Sequence, residues 1–206
     1  MSLMEITALL LAGGLSKRMG KDKAFLIYKG KTFLRNILES VQPYVDEIIL
    51  SINKSEDLYL KELKGINKKI KFVKDRDIYG GPLNAIVSCA PEINTKYFFL
   101  LTVDTPLFKG ELIPFLKDKI SDYDCVIPVV NGKYQPLNTI YNSKSLSIAN
   151  QVYAVEKKDA IFDWVKRLNI KYIYDDELRK IDKNLGSYFS VNTPYNYETL
   201  LKCYND

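Results

Sequence analysis

The sequence predicts an α/β protein with three layers, in which a mostly parallel sheet lies between helices. Two observations predict this fold class. Short apolar runs alternate with segments whose apolar residues recur every three or four positions, which is the order expected of a βαβα chain. The first and fourth runs are almost continuously apolar, as in strands that are buried on both faces of a parallel sheet.

The apolar runs predict strands at residues 6–11, 47–52, 70–73, 97–103 and 125–130. Three stripes with helical spacing lie between or beside these runs. They consist of Phe33, Ile37 and Val41; of Leu83 and Val87; and of Leu112, Phe115, Leu116 and Ile120. A last helix is expected to begin at Pro194 with Thr193 as its N-cap, because proline suits the first helical position and threonine suits the cap.

The composition predicts one folded domain over residues 1–206. The chain is 47% hydrophobic and 27% charged, with both signs scattered, so it can bury one core and is not disordered. The net charge is only +5, and no run of five basic residues occurs, so neither a nucleic acid nor a membrane surface is expected as a partner. Apolar runs also stay well short of the roughly 18 residues of a membrane span.

Cysteine and histidine usage excludes several kinds of site. The cysteines are three in number, far apart and without Cys-x-x-Cys spacing, which predicts neither a disulfide framework nor a zinc site and fits a reducing cytoplasm. The chain has no histidine, so Ser-His-Asp and Cys-His triads are excluded. Phosphoryl-type transfer remains, because it requires positioning and charge neutralisation rather than an enzyme nucleophile.

Residues 11–23 carry the strongest chemical signal. This segment, L-A-G-G-L-S-K-R-M-G-K-D-K, follows the first predicted strand and combines three glycines with basic residues. Glycines allow backbone N–H groups to line an anion cradle, Arg18 can grip phosphate oxygens with its planar fork, and Lys23 can neutralise them as a mobile charge. The segment matches neither G-x-G-x-x-G nor the P-loop. A glycine pair after a strand is by itself often only a turn, so Arg18 and Lys23 decide in favour of phosphate binding.

The whole segment resembles the signature L-A-G-G-x-S-x-R-M-G-x-D-K of the molybdenum cofactor guanylyltransferases, also called molybdopterin-guanine dinucleotide biosynthesis protein A. Every fixed position is matched. Related cytidylyltransferases and sugar-nucleotide pyrophosphorylases use the same opening with variations, commonly with alanine in place of Gly13. The resemblance implies a Rossmann-like nucleotide-diphospho-sugar transferase (GT-A-like) fold. It also implies nucleotide contacts by Leu11, Ala12, Gly13, Gly14 and Lys23.

Four later segments extend the resemblance in the expected order. They are Asp75 followed by Gly80-Gly81-Pro82-Leu83, then Val103-Asp104-Thr105-Pro106-Leu107, Gln135-Pro136-Leu137 and Ser190-Val191-Asn192-Thr193-Pro194. The resemblance implies that Asn53 and Asp75 contact the guanine nucleotide and that Asp104 holds the catalytic metal. Asn53 follows a strand, where asparagine also serves plain turn chemistry.

Asp104 is also a candidate on physical grounds. It follows the most apolar strand at its carboxyl end, where α/β sheets bind ligands, and a carboxylate is a ligand type that Mg²⁺ prefers. The competing interpretation is an aspartate that caps a turn before Thr105-Pro106.

The chain departs from the family pattern at three places. Ser190 stands where asparagine is frequent, which leaves Asn192 as the better candidate for a second metal ligand. Val103 stands where cysteine is frequent, a difference of packing. Asn84-Ala85 follows the G-P-L turn, where glycine is common, and this would alter how closely an acceptor approaches.

The function implied by the resemblance is transfer of GMP from GTP to the phosphate of molybdenum-molybdopterin, with Mg²⁺ as cofactor and pyrophosphate as the second product. Arg18, Lys23 and Asp104 are then the catalytic residues. The resemblance also leaves room for transient contact with other molybdenum-cofactor proteins. The acceptor would lie against the second half of the chain, where residues 133–135 are candidates whose spacing fits a pterin and a sugar equally.

Two other functions stay open from the sequence. One is a cytidylyltransferase that acts on molybdopterin or on a phosphorylated sugar or alcohol. The other is a non-catalytic nucleotide-binding or cofactor-carrier protein, although Asp104 argues against it, because binding a base requires no metal carboxylate there.

Overall fold

The computed structural model describes residues 5–14, 20–77 and 80–203. The strands are β1 Ile6–Leu11, β2 Ile27–Tyr28, β3 Lys31–Thr32, β4 Glu47–Ile52, β5 Lys69–Lys74, β6 Tyr97–Thr102, β7 Cys125–Val130, β8 Lys133–Tyr134, β9 Thr139–Asn142 and β10 Ile170–Tyr174. The α-helices are α1 Phe33–Val41, α2 Asp57–Leu63, α3 Pro82–Cys89, α4 Leu112–Ile120, α5 Leu146–Asn150, α6 Ile161–Val165, α7 Asp175–Leu178 and α8 Pro194–Cys203. A π-helical segment, Gln151–Val155, continues α5.

The main sheet runs in the order β10-β7-β9-β6-β1-β4-β5, with β8 paired to the end of β7. Neighbours β6, β1, β4 and β5 are parallel, as are β7 and β10. The short strand β9 runs antiparallel between β6 and β7. A mostly parallel sheet, as predicted from the sequence, is therefore confirmed.

Helices cover both faces of this sheet, because the central strands carry apolar side chains on both sides. In β1, Leu10 packs into one core with α1 and α4, whereas Leu9 packs into a second core with α3 and α6. Phe99 and Phe98 of β6 divide between the two cores in the same way. Continuous apolar runs therefore predicted three layers correctly.

The predicted helices form, and their first turns are stabilised by suitable residues. The Thr32 hydroxyl accepts a hydrogen bond from the Arg35 amide and caps α1, and Pro82 opens α3. Thr193 accepts from the Asn196 amide at 3.2 Å, so its predicted role as the cap of α8 is confirmed. Among the described helices, none is long and apolar enough to cross a membrane.

The parallel arrangement brings the ends of four strands together. Leu11 of β1 lies beside Ser51 of β4 on one side and Thr102 of β6 on the other. The segments that leave β1, β4, β5 and β6 therefore meet at one edge of the sheet, which is where α/β folds place their ligands.

Candidate functional site

A cavity of about 300 Å³ opens at this carboxyl edge of the sheet. It is lined by Leu11, Gly13, Gly14, Asp22, Lys23, Ser51, Asn53, Asp75, Gly80, Gly81, Pro82, Ala85, Thr102, Val103, Asp104 and Leu137. Residues that follow five different strands thus share one cleft. Most of the candidate residues from the sequence lie here. Ala12 is buried behind the wall, and its amide donates to the Ser51 carbonyl at 2.8 Å, so it holds β1 to β4.

Asp104 is fixed at one end of the cavity by contacts on both its side chain and its backbone. The Thr102 hydroxyl donates to Asp104 Oδ1 at 2.6 Å, and the Asp104 carbonyl accepts from the Val191 amide at 2.7 Å. Its side chain is 19% exposed, so the second carboxylate oxygen can still reach a ligand. The aspartate is therefore both oriented and accessible.

Lys23 meets Asp104 from the opposite side of the cleft. Lys23 begins a short 3-10 turn that the Asp22 carboxylate caps through the Ala24 amide. Its Nζ lies 3.6 Å from Asp104 Oδ2 and donates to Asn192 Oδ1 at 2.5 Å. Three residues that are remote in sequence therefore converge on one point, which we call the cation corner: Lys23, Asp104 and Asn192.

The cation corner has donor atoms that suit a hard divalent cation. A carboxylate oxygen and an amide oxygen face the same lysine nitrogen, and both are oxygen ligands of the type that Mg²⁺ accepts. Among the described residues, no cluster of three or more His, Cys, Asp or Glu forms a complete protein cage. Such a cation would therefore need oxygens from phosphate and water to complete its coordination.

Asn138 supports the loop that carries Asp104, and no pattern in the sequence pointed to this residue. It is buried at the start of β9 with a left-handed φ of 59°. Its Oδ1 accepts from the Thr102 amide at 3.1 Å, and its Nδ2 donates to Thr105 Oγ1 at 3.0 Å. One side-chain amide therefore holds both sides of the turn that presents Asp104.

The other end of the cavity offers hydrogen-bond acceptors. The Ser51 hydroxyl donates to the Asp75 carboxylate, while burial raises the pKa of Asp75 above its ordinary value and this hydrogen bond partly opposes the rise. The Asn53 amide donates to the Gly13 carbonyl, and its buried Oδ1 has no hydrogen-bond partner within the described part of the chain. This end can therefore accept hydrogen bonds from N–H groups of a ligand.

Gly13 is required here by close approach rather than by backbone conformation. A Cβ atom on Gly13 would lie 2.8 Å from the side chain of Asn53, closer than nonbonded atoms tolerate. The glycine at this position and the asparagine after β4 are thus a matched pair.

Comparison with known proteins shows a family and several relatives that match this chain. Residues 8–170 match the family described as "MobA-like NTP transferase domain". A Natranaerobius thermophilus protein named "Probable molybdenum cofactor guanylyltransferase" is 30% identical over 204 residues, which cover 96% of this chain and 95% of the relative. This chain belongs to the MobA-like NTP transferase family. The MobA-like chain is accordingly a nucleotidyltransferase.

Solved structures support the fold of this MobA-like transferase. The crystal structure of molybdopterin-guanine dinucleotide biosynthesis protein A from Archaeoglobus fulgidus superposes with a TM-score of 0.78 at 22% identity, covering 96% of this chain and 97% of the other. A Mycobacterium tuberculosis protein in complex with manganese gives a TM-score of 0.71 at 13% identity, covering 98% and 100%. The Rossmann-like transferase fold implied by the sequence resemblance is therefore confirmed.

A second cavity of about 440 Å³ adjoins the first in this MobA-like transferase. Its lining residues are Asp77, Gly80, Tyr153, Ala154, Lys157, Lys158 and Asp159. Gly80 lines both cavities, so the two cavities meet at this residue. No motif in the sequence pointed to residues 153–159 as part of a site.

Arg18 lies outside the residues that the structure describes. The candidates for contact with the acceptor, residues 133–135, lie elsewhere. Lys133 and Tyr134 are exposed on β8, where the Tyr134 ring packs against Tyr172 with 5.4 Å between centroids. Residues 133–135 are not among the described residues that line either cavity, although Leu137, two positions on, lines the first.

Proposed function

We propose that this transferase moves GMP from GTP to the phosphate of molybdenum-molybdopterin and releases pyrophosphate, with Mg²⁺ as its cation. The observation that carries the proposal is the cation corner, where Lys23, Asp104 and Asn192 converge at the rim of a cavity on the carboxyl edge of the sheet. That arrangement supplies a positive charge and two oxygen ligands, which are what a bound triphosphate and its cation require.

The acceptor-rich end of the cavity supports guanine as the base. Guanine presents adjacent N–H donors on its ring nitrogen and exocyclic amine, whereas cytosine presents one exocyclic amine beside acceptors. The Asp75 carboxylate and the unpartnered Oδ1 of Asn53 are acceptors, so they complement guanine. The triphosphate would then run past Gly13 and Gly14 toward Lys23.

The chemical step needs no enzyme nucleophile. A phosphate monoester is largely ionised at neutral pH, so an acceptor phosphate oxygen can attack the α-phosphorus of GTP directly. A new P–O bond forms, the bond between the α-phosphorus and its bridging oxygen breaks, and pyrophosphate leaves with that electron pair. The residues of this chain contribute by holding the two substrates in line and by neutralising charge, with Lys23 and Arg18 as the cationic groups.

Asp104 and Asn192 would hold the divalent cation. Bound there, Mg²⁺ would neutralise developing charge on the phosphates. Thr102 and Asn138 keep the carboxylate oriented before any ligand arrives, so little reorganisation is needed at the moment of reaction. The manganese complex of the mycobacterial structural neighbour shows a divalent cation in that protein.

The second cavity is the proposed place for the acceptor. It adjoins the nucleotide cavity across Gly80, and it carries two lysines, two aspartates and the Tyr153 hydroxyl. The lysines can bind an anionic phosphate, and the aspartates and the tyrosine can hydrogen-bond polar groups of the acceptor. A cytoplasmic location and contact with other molybdenum-cofactor proteins remain predictions that belong with this function.

The deciding experiment measures pyrophosphate release by the purified protein with Mg²⁺, each of the four nucleoside triphosphates, and molybdenum-loaded molybdopterin present or absent. Release only with GTP and acceptor together is the expected result. A preference for CTP would overturn the assignment of the base and favour a cytidylyltransferase. Nucleotide binding with no release from any pair would overturn the assigned acceptor reaction and favour a nucleotide-binding protein that lacks turnover.

A further inference from the structure

The end of the turn that precedes α3 is held from the side of the second cavity. Gly80 and Gly81 line the nucleotide cavity, but their small size is required by packing. A Cβ atom on Gly80 would lie 2.6 Å from Cβ of Asn84, and one on Gly81 would lie 2.9 Å from the carbonyl oxygen of Asp159. Asn84 and Asp159 therefore restrict where this glycine pair can lie.

Asn84 is the centre of these contacts. It is fully buried in the first turn of α3, where an amide side chain must find partners for both its ends. Its Nδ2 donates to the Asp77 carbonyl at 2.6 Å, and the same carbonyl accepts from the Gly80 amide at 3.1 Å. Its Oδ1 accepts from the Tyr153 hydroxyl at 2.9 Å. Asn84 thus joins the start of the turn, its glycine pair and Tyr153.

Tyr153 comes from a π-helical segment, Gln151–Val155, that lines the second cavity. A π-helical segment inside a helix is uncommon and frequently marks a functional site. Here it continues α5 and carries the phenol toward Asn84. The same stretch of chain also reaches Gly81 through Asp159, so two contacts connect the wall of the second cavity to the turn.

We propose that the Tyr153 hydroxyl, acting through Asn84, positions the Gly80–Gly81 backbone against the bound nucleotide. Tyr153 and Asn84 are then positioning residues that determine nucleotide affinity from the neighbouring cavity. The inference rests on the proposed function in one respect, since it takes the first cavity to be the nucleotide site. Its consequence is that a ligand in the second cavity which engages the Tyr153 hydroxyl changes the affinity for nucleotide in the first.

The test compares Mg·GTP affinity by calorimetry in the wild type, Tyr153→Phe, Asn84→Ala and the double variant. Tyr153→Phe removes one oxygen atom and is expected to weaken binding about three- to tenfold, the scale of one hydrogen bond. In the Asn84→Ala background the same change should have no further effect. Tyr197→Phe is the matched control, because its hydroxyl donates to the Ile27 carbonyl at 2.7 Å, away from both cavities.

Amide hydrogen exchange gives a second readout that requires neither turnover nor ligand. The Gly80 and Asn84 amides, which donate to Asp77 and Gly81 respectively, should exchange faster in Tyr153→Phe than in the wild type or in Tyr197→Phe. Unchanged affinity and exchange in Tyr153→Phe would overturn the inference while leaving the proposed function intact. A loss that persists at full size in the Asn84→Ala background would also overturn it, because Tyr153 would then act directly. Absence of nucleotide binding by the wild type would sink the proposed function and this inference together.

Discussion

Lys23 Nζ lies 2.5 Å from Asn192 Oδ1, although the two residues are 169 positions apart. Lys23 belongs to the turn after the glycine-rich segment, and Asn192 directly precedes the cap of α8. The contact closes the cleft around Asp104, whose Oδ2 is 3.6 Å from the same nitrogen. The first and last parts of the chain therefore complete one site, and each residue can be tested separately.

Replacement of Lys23 should lower catalytic activity much more than it lowers the stability of the fold. Lys23→Met removes the charge but keeps much of the side chain's length. We expect the variant to lose about 2 to 4 kcal/mol of transition-state stabilisation, the scale of one preorganised charge-stabilising group, and kcat/KM to fall accordingly. Steady-state pyrophosphate release measures this. Lys202→Met is the matched control, because Lys202 is an exposed lysine on α8 that pairs only loosely with Glu198 at 3.8 Å. Equal losses in both variants would contradict the role given to Lys23.

The carboxylate of Asp104 should be indispensable for turnover. Asp104→Asn keeps the shape and can keep the contact with Thr102, but it removes the negative charge that would hold the cation. We expect turnover to fall by at least about a hundredfold and the Mg²⁺ concentration for half-maximal activity to rise. Asp118→Asn, an exposed aspartate on α4, controls for the change of charge. Turnover near that of the wild type would remove Asp104 from the mechanism.

Substitutions at the matched pair of Gly13 and Asn53 should have non-additive effects on nucleotide binding. Gly13→Ala places a methyl group 2.8 Å from the Asn53 side chain. Accommodating this group should lower the free energy of unfolding by about 1 to 3 kcal/mol. We expect weaker GTP binding, because Asn53 must leave its bond with the Gly13 carbonyl. Asn53→Ala should also weaken binding, yet the double variant should be no worse than Asn53→Ala alone. Additive losses, measured by calorimetry, would show that the two positions act independently.

The central strands could be predicted because β1 and β6 are apolar on both faces, which leaves a continuous run in the sequence. By contrast, β9 and β10 are short and mix polar with apolar side chains, so their patterns do not stand out from loops. The antiparallel insertion of β9 depends on pairing with β6 and β7. That pairing is a property of the assembled sheet.

Some residues of the candidate site could likewise be proposed from the sequence, whereas others could not. Lys23 and Asp104 could be proposed from the sequence because Lys23 belongs to a glycine-rich basic segment and Asp104 follows a continuously apolar strand. Asn138 and Tyr153 could not, because they act through long-range hydrogen bonds: Asn138 bonds with Thr102 and Thr105, and Tyr153 bonds with Asn84. An asparagine or tyrosine that supports a loop has no local spacing to distinguish it from any other.

Asp75 should make both stability and nucleotide binding depend on pH. Burial raises its pKa above the ordinary value of 3.8, and the Ser51 hydroxyl partly opposes the rise. The folded protein therefore keeps the proton to higher pH than the unfolded chain does. The stabilising contribution of the group is complete below its ordinary pKa and is lost as the pH rises through the raised pKa.

Asp75→Asn separates these two effects, because an amide does not titrate. Urea unfolding across the acid range should show the free energy of unfolding of the wild type falling, relative to that of Asp75→Asn, as the pH rises above 3.8. At neutral pH the variant should be the more stable protein, yet it should bind GTP about tenfold or more weakly, since a hydrogen bond to a charged acceptor is replaced. Asp118→Asn controls for an exposed carboxylate. If the stability difference does not vary with pH, Asp75 titrates alike in the folded and unfolded states, and the acceptor end of the cavity is more hydrated than its burial implies.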